Sequence, residues 1–314
     1  MAPLLYPWII AFLFVIVIIA LLNKRYILSA IIFFLLVILN WACECFALNI
    51  CSESKDGKNG IIIKVMTWNI NGDEYNAQKI SSIATIINEQ KPDILFLAEY
   101  YDGISRSLDS IIRKELVYST YPYYTGGHVF YSRYPYDDVR IIAISDYENP
   151  LRVHCSFNVN GSPLDIYGCH YASNNYTYKQ QLHHINDISS FDEAKEYLNN
   201  IFEASIIRTH ETDAILADID SHQCDNVIVM GDFNEVSGSI PLSKYKRNGF
   251  HDAWWEGGCG YGATIHNPIP YRIDHILFYN NKVKSIRLKL RSINKINTDE
   301  VSDHDCLVAE FEIR

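Results

Sequence analysis

The sequence predicts an α+β protein: two packed β-sheets covered by helices, preceded by a transmembrane hairpin of two helices. Three observations predict it. Two long apolar runs open the chain, strand-like runs dominate the remainder, and segments of helical spacing lie between some of those runs.

The apolar opening comes first. Leu4 to Leu22 is a run of 19 residues without a charge, Asn23-Lys24-Arg25 interrupts it, and a second apolar run extends from Tyr26 to about Trp41. A membrane span needs roughly 20 apolar residues, so residues 1–48 read as an anchor of two transmembrane helices. A signal peptide is the rival reading. It fits poorly, because no basic region precedes the first run and a second run follows at once. Tyr6, Trp8, Tyr26 and Trp41 stand near the ends of the runs, where interfacial aromatics collect. Lys24 and Arg25 bias the turn toward the cytoplasm and the main domain toward the other side. The expectation is a two-pass integral membrane protein with its large domain extracytoplasmic.

Residues 49–60 are polar and glycine-containing and read as a linker to a domain over 61–314. IIIKVMTWNI (61–70) is a β-rich run, and residues 76–91 place Ile80, Ile83, Ala84 and Ile87 on one helical face. ILFLAEY (94–100) reads as a short buried strand, and 102–117 as helical. Strands follow at 128–135, 139–145, 151–159 and 164–172, with Asn160-Gly161 a hairpin signal between the last two. Residues 173–200, polar and holding His183-His184, read as a loop or short helices near a site. A helix is expected over 201–222 with Ile206, Ile207, Ala214, Ile215 and Ile219 inward. Further strands are expected at 226–234, 271–279, 285–293 and 306–313.

The net charge is −10; Lys24, Arg25 and Glu44 give the first fifty residues +1, which leaves −11 for the rest. An acidic domain lacks the broad basic footprint of nonspecific duplex binding. The eight cysteines show no zinc spacing, and a domain of this size does not need disulfide staples. Palmitoylation-like, redox and inert readings of Cys43 and Cys45 stay open.

The informative residues sit at strand ends. Asn69 follows VMTW, Glu99 follows ILFLA, His170 follows DIYGC, Asp232 and Asn234 stand in GDFN, Asp274 stands in RIDH, and Ser302-Asp303-His304 precede the final strand. Each alone could belong to a turn or a surface. Together they repeat one arrangement, a buried strand followed by a group from the metal and acid–base inventory, which suits a site held on rigid elements. Asp232 and Asn234, two apart, are expected to face the same side of their strand.

TWNI (67–70), LAE (97–99), YSRYP (131–135), GCH (168–170), GDFN (231–234), RIDHIL (272–277) and SDH (302–304) together resemble the endonuclease/exonuclease/phosphatase superfamily, in order and across 61–314. With its two-helix anchor, the chain is similar to the membrane-anchored bacterial branch of that deoxyribonuclease I-like group. The resemblance implies a four-layer α/β sandwich, two mixed sheets between helices. It implies that Glu99, with Asn69 and Asp303, holds a divalent metal, Mg²⁺ or alternatively Mn²⁺. It implies that Asp232 orients or deprotonates the attacking water, that Asn234 bonds a phosphoryl oxygen, and that His304, oriented by Asp274, serves as acid, base or electrostatic stabiliser. His170 would stabilise growing charge on phosphoryl oxygens. Arg133 and Arg272 are candidate phosphate contacts, although Arg133 could simply support its strand. One departure is Ala98, where the family often has Gln.

Fold does not fix substrate. The anchor favours a membrane-proximal phospholipid or lipid-linked (pyro)phosphate. A tethered nuclease acting on nucleic acid is the alternative, and a non-catalytic binding protein of the same fold is a third reading. No obligate protein partner is implied.

Overall fold

The computed structural model describes residues 2–49, 60–72, 76–101, 107–112, 123–125, 127–142, 152–174, 191–266, 269–280, 288–298 and 300–313. Two apolar helices, Ala2–Leu22 and Tyr26–Cys43, form the N-terminal hairpin, and both are long and apolar enough to cross a membrane. The second stops where Glu44 takes a left-handed conformation (φ 52°) and its N–H closes onto Asn40 O. The Asn40 side chain completes the stop, accepting from Phe46 N at 2.8 Å and donating to Phe46 O at 2.9 Å.

The hairpin is not simply strung to the domain. Strand β1 (Ala47–Leu48) pairs antiparallel with β11 (Cys259–Gly260), and Asn49 donates to the carbonyls of Trp255 and Gly258. The expected linker otherwise falls outside the described residues, as do His183-His184.

Two mixed six-stranded sheets build the domain. The first contains β2 (Ile61–Asn69), β3 (Ile94–Ala98), β4 (Tyr123–Thr125), β5 (His128–Ser132), β13 (Leu288–Ile296) and β14 (Cys306–Ile313), in the order β13-β14-β2-β3-β5-β4. The second contains β6 (Tyr136–Ile141), β7 (Arg152–Val159), β8 (Ser162–His170), β9 (Asn226–Asp232), β10 (Phe250–Asp252) and β12 (Asp274–Asn280), in the order β10-β12-β9-β8-β7-β6. Each sheet has one parallel pair, β2/β3 and β8/β9. Each of those pairs is joined by a helix, Ala77–Gln90 and Phe191–His222, because parallel neighbours need a crossover.

Strand alternation sorts the side chains into three apolar layers. Ile63, Val65, Phe96, Phe130, Ile166, Ile228, Met230, Ile276 and Phe311 fill the space between the sheets. The alternate residues Met66, Trp68, Leu95 and Leu97 pack under helix Ala77–Gln90, with Ile80, Ile83, Ala84 and Ile87 facing them as the helical spacing predicts. Tyr167, Cys169, Val227 and Val229 pack under the long helix with Ile215 and Ile219. The result is the expected four layers, helix–sheet–sheet–helix.

Several expectations shift. The long helix begins at Phe191 rather than near 201, so part of the stretch expected as loop is helical. Ile206 is 44% exposed while Arg208, Glu211 and Thr212 are buried, so its inward face is partly polar. Arg208 ion-pairs with Glu235 at 2.9 Å and donates to Ala172 O, and Glu211 accepts from Ala172 N. A polar inward face hides from a search for apolar periodicity. Residues 107–112 are helical within the expected 102–117, the rest of which lies outside the described residues. At the hairpin of β7 and β8, Asn160 and Gly161 both have positive φ, 52° and 90°, as a two-residue turn of the expected kind requires.

Candidate active site

The apolar columns between the sheets end in polar residues at one end of the sandwich. In the second sheet, His170, Asp232 and Asp274 form one row across β8, β9 and β12. In the first, Asn69, Ala98 and His128 form a row across β2, β3 and β5. Parity explains the facing. Asp232 continues the column of Ile228 and Met230, His170 that of Ile166, Asp274 that of Ile276, and Asn69 that of Val65. The columns that make the core therefore also aim the site.

Asn69 ties the two sheets at this end. Its amide donates to Glu99 Oε1 at 2.9 Å and to Asp232 Oδ2 at 3.1 Å. Glu99 is the first residue past β3, turned by a left-handed backbone (φ 55°). His170 Nε2 lies 3.6 Å from Glu99 Oε1 and 3.7 Å from Asp232 Oδ2, beyond ordinary hydrogen-bond length. His304 Nε2 lies 3.8 Å from Asp232 Oδ2. Two imidazoles thus face the same Asp232 oxygen from two sides.

His304 is held from behind. Its Nδ1 meets Asp274 Oδ2 at 2.9 Å, and its carbonyl accepts from Trp68 Nε1 and Thr298 Oγ1. Ser302 Oγ donates to Asn69 O and accepts from His304 N, which fastens the SDH loop to the end of β2. Burial alone would depress the imidazole, but Asp274 and then Asp232 outweigh it and raise His304 to about 10. Burial raises the Asp274 carboxyl, His304 opposes this, and Asp232 adds to it.

Asn234 reaches the site by another route than expected. Strand β9 ends at Asp232, so i, i+2 facing no longer applies. Asn234 takes a left-handed φ of 49°, its N–H donates to Asp232 Oδ1 at 2.8 Å, and its side-chain amide donates to Tyr171 O at 3.0 Å. Just upstream, Gly231 has φ 142°, and a Cβ there would stand 1.9 Å from Cys169 O. Only glycine fits the close parallel pairing that aligns Asp232 with His170.

The structure brings Asn69, Glu99, His170, Asp232, Asn234, Asp274 and His304 together. Asp303 sits exposed at the rim, its Oδ1 accepting from Asn71 Nδ2 at 3.0 Å. The arginines are elsewhere, and this corrects their reading as phosphate contacts. Arg133 follows β5 at the Ile94 end of β3, opposite to Glu99, and pairs with Asp93 at 3.2 Å. Arg272 is 1% exposed and is consumed by Asp252 at 2.7 Å, Ser237 and the carbonyl of Glu44. Neither is marked by sequence as paired, because both partners are distant in the chain. His128, whose ring centroid lies 5.5 Å from that of His170, was missed. His128 opens its strand rather than ending it, so the strand-end pattern does not mark it.

Three carboxylates, Glu99, Asp232 and Asp274, stand beside two histidines with Asp303 at the rim, and among the described residues the buried Asp274 Oδ1 has no hydrogen-bond partner. Such a donor set fits a divalent cation. Asp232, Asp274 and His304 each bring one ligand atom within 4.8 Å of the others. In that trio His304, its Nδ1 on Asp274 and its pKa raised to about 10, holds a proton. Glu99, with 23% of its side chain exposed beside Asn69, is open to a partly hydrated ion.

The profile of the endonuclease/exonuclease/phosphatase family matches residues 66–304. The chain belongs to this family. Its members share a phosphoesterase fold and generally depend on a divalent metal. Among solved structures, TDP2 from D. rerio in complex with single-strand DNA product is 18% identical, with a TM-score of 0.58 over 80% of this chain and 99% of that one. Beta toxin from Staphylococcus aureus is 16% identical, TM-score 0.55, over 79% and 99%. A family protein from Leptotrichia buccalis is 17% identical, TM-score 0.53, over 80% and 99%. At these identities the likeness is one of fold. No curated protein matches the chain in sequence.

Proposed function

We propose that this family member is a membrane-anchored, Mg²⁺-dependent phosphoester hydrolase whose substrate is a phospholipid or a lipid-linked (pyro)phosphate. The observation that carries the lipid reading is the docking of the anchor beside the site. Gly238, four residues after Asn234, lies against Tyr6 and Cys43 at the domain-side ends of the two apolar helices. Arg272, two residues before Asp274, binds Glu44 O at 3.3 Å. Lys246 pairs with Glu44 and lies 5.5 Å over the Trp41 ring. The strand ends that carry Asp232 and Asp274 run directly into the surface that touches the hairpin. A bilayer crossed by the hairpin would bring headgroups to this end of the sandwich. In this reading Lys24 and Arg25 lie on the cytoplasmic side, and the catalytic domain lies on the other.

Asp232, accepting from Asn69 and Asn234, takes the proton of an attacking water. His304, charged at neutral pH, donates to a phosphoryl oxygen, and Asp274 fixes its tautomer. His170 steadies developing charge from the opposite side. Glu99, Asn69 and Asp303 would hold the metal, which when bound polarises phosphoryl and leaving oxygens. The acidic surface weighs against the nuclease reading.

The test uses the full chain in vesicles with an Asp232→Ala control. Hydrolysis of a lipid-linked phosphoester or pyrophosphate, lost in the control and with chelator, is expected. Plasmid nicking without lipid turnover would make the protein a tethered nuclease.

A further inference from the structure

A second group of ligand-type side chains lies on the outer face of the second sheet. His154 of β7, Asp165 of β8 and Cys224 bring one nitrogen, one oxygen and one sulfur within 4.8 Å of one another. Strand parity places the first two. Cys155 and Phe157, and Leu164 and Ile166, face the core between the sheets, so His154 and Asp165 face the long helix. In register, Cys155 opposes Ile166 and His154 opposes Tyr167, which leaves His154 and Asp165 as diagonal neighbours. Cys224 arrives from the end of the helix. Gln223 takes a left-handed φ of 51°, and Cys224 N–H closes onto Ile219 O at 3.2 Å, a fixed turn that aims the sulfur at the sheet.

The cluster is tight and mostly hidden. His154 is 0% exposed, its Nε2 meets Asp165 Oδ1 at 2.8 Å, and its Nδ1 has no hydrogen-bond partner among the described residues. Tyr167 Oη lies 3.8 Å from Cys224 Sγ and donates to Asp218 at 2.7 Å. The neighbouring cation, Arg140, is directed to Asp218 at 2.9 Å and to Asp138. An Asp–His hydrogen bond alone would not call for a sulfur on the third side.

We propose that His154, Asp165 and Cys224 form a second metal site, selective for a zinc-class divalent cation and separate from the phosphoester centre. Sulfur with imidazole and carboxylate is a borderline-soft set that suits Zn²⁺ or Co²⁺, and the hard Mg²⁺ ion avoids it. Three protein ligands leave the fourth position to water. Burial and then the charge of Asp165 push the Cys224 thiol up to about 11, so without metal the sulfur keeps its proton. Coordination replaces that proton, which passes to solvent. The bound ion would pin the end of the crossover helix to β7 and β8, the latter carrying His170 at its far end.

The test is a Co²⁺ titration of the purified full chain in detergent with Mg²⁺ in excess. One equivalent should give a near-ultraviolet thiolate-to-cobalt charge-transfer band. Cys224→Ser should abolish it, His154→Asn should weaken binding at least tenfold, and Zn²⁺ should displace it. The phosphoester centre offers no sulfur among its named ligands, so Co²⁺ bound there gives no such band. Absence of the band in the wild type overturns the site, and so does its persistence in Cys224→Ser. The wild-type titration needs no variant, so a misfolded substitution cannot shelter the proposal.

Discussion

Asp232 is the residue at which both sheets meet: Asn69 reaches it from the first, while His170 and Asp274 flank it in the second. Asp232→Ala should therefore lower turnover by about 10²- to 10⁴-fold, the usual yield of a positioned base, while thermal unfolding followed by circular dichroism keeps a single transition. His304 gives a pH signature. Its imidazole is raised to about 10, so activity that needs the charged form should fall on the alkaline side near that value. Asp274→Asn removes a raising charge and should move that limb to lower pH in a rate profile. The same shift bears on stability. Raised above its unfolded value of about 6.5, His304 contributes stability that is complete below that value and is lost as pH climbs through about 10. Asp232 and His304 were legible in sequence because a carboxylate or imidazole beside a buried strand breaks the local pattern. The role of Asn69 in joining the sheets was not, because its partners stand 30 and 163 residues away.

Two elements decide how well these residues are aimed. The β8/β9 pair aligns His170 with Asp232, and it depends on Gly231 passing close to Cys169 O. Gly231→Ala should displace Asp232 and cost most of the activity. Soluble yield or unfolding temperature should drop as well, because the Cβ meets backbone rather than a side chain that could turn away. The segment before β12 is the other. Arg272 neutralises Asp252 in a site that also holds Ser237 and the imidazole of His275. Burial raises Asp252, but Arg272 outweighs this and holds its carboxyl well below the usual range. Arg272→Met would leave that carboxylate buried without its cation and should cost about 3–5 kcal/mol in urea denaturation. The lowered Asp252 contributes stability present above its unfolded value and lost as pH falls, so Arg272→Met should also flatten the acid limb of the stability curve. The sequence places RIDH in a strand over 271–279, with Arg272 a candidate phosphate contact. The strand starts only at Asp274, and the arginine is part of the joint with the N-terminal hairpin.

At the scale of the molecule, the hairpin and the site share one end. Lys246→Glu would set a carboxylate against Glu44 and loosen the docking. Turnover of a vesicle-borne lipid should fall several-fold, and a small soluble phosphodiester should be hydrolysed as before; equal losses on both would place the effect in the fold. Several things were determined by the sequence alone: the two apolar helices, the α+β class, the motifs of the family, and the strand-end carboxylates and histidines. These depend on local chemistry, namely periodicity, run length and polar residues where a core residue would otherwise stand. The tertiary structure decided what lies far apart along the chain. It set the row that aligns His170, Asp232 and Asp274, withdrew Arg133 and Arg272 from the site, gave Asn234 its left-handed turn, and seated the end of the N-terminal hairpin against Arg272. Sheet register and ion pairing are contacts between segments, and residue types along one segment do not encode which distant partner each will meet.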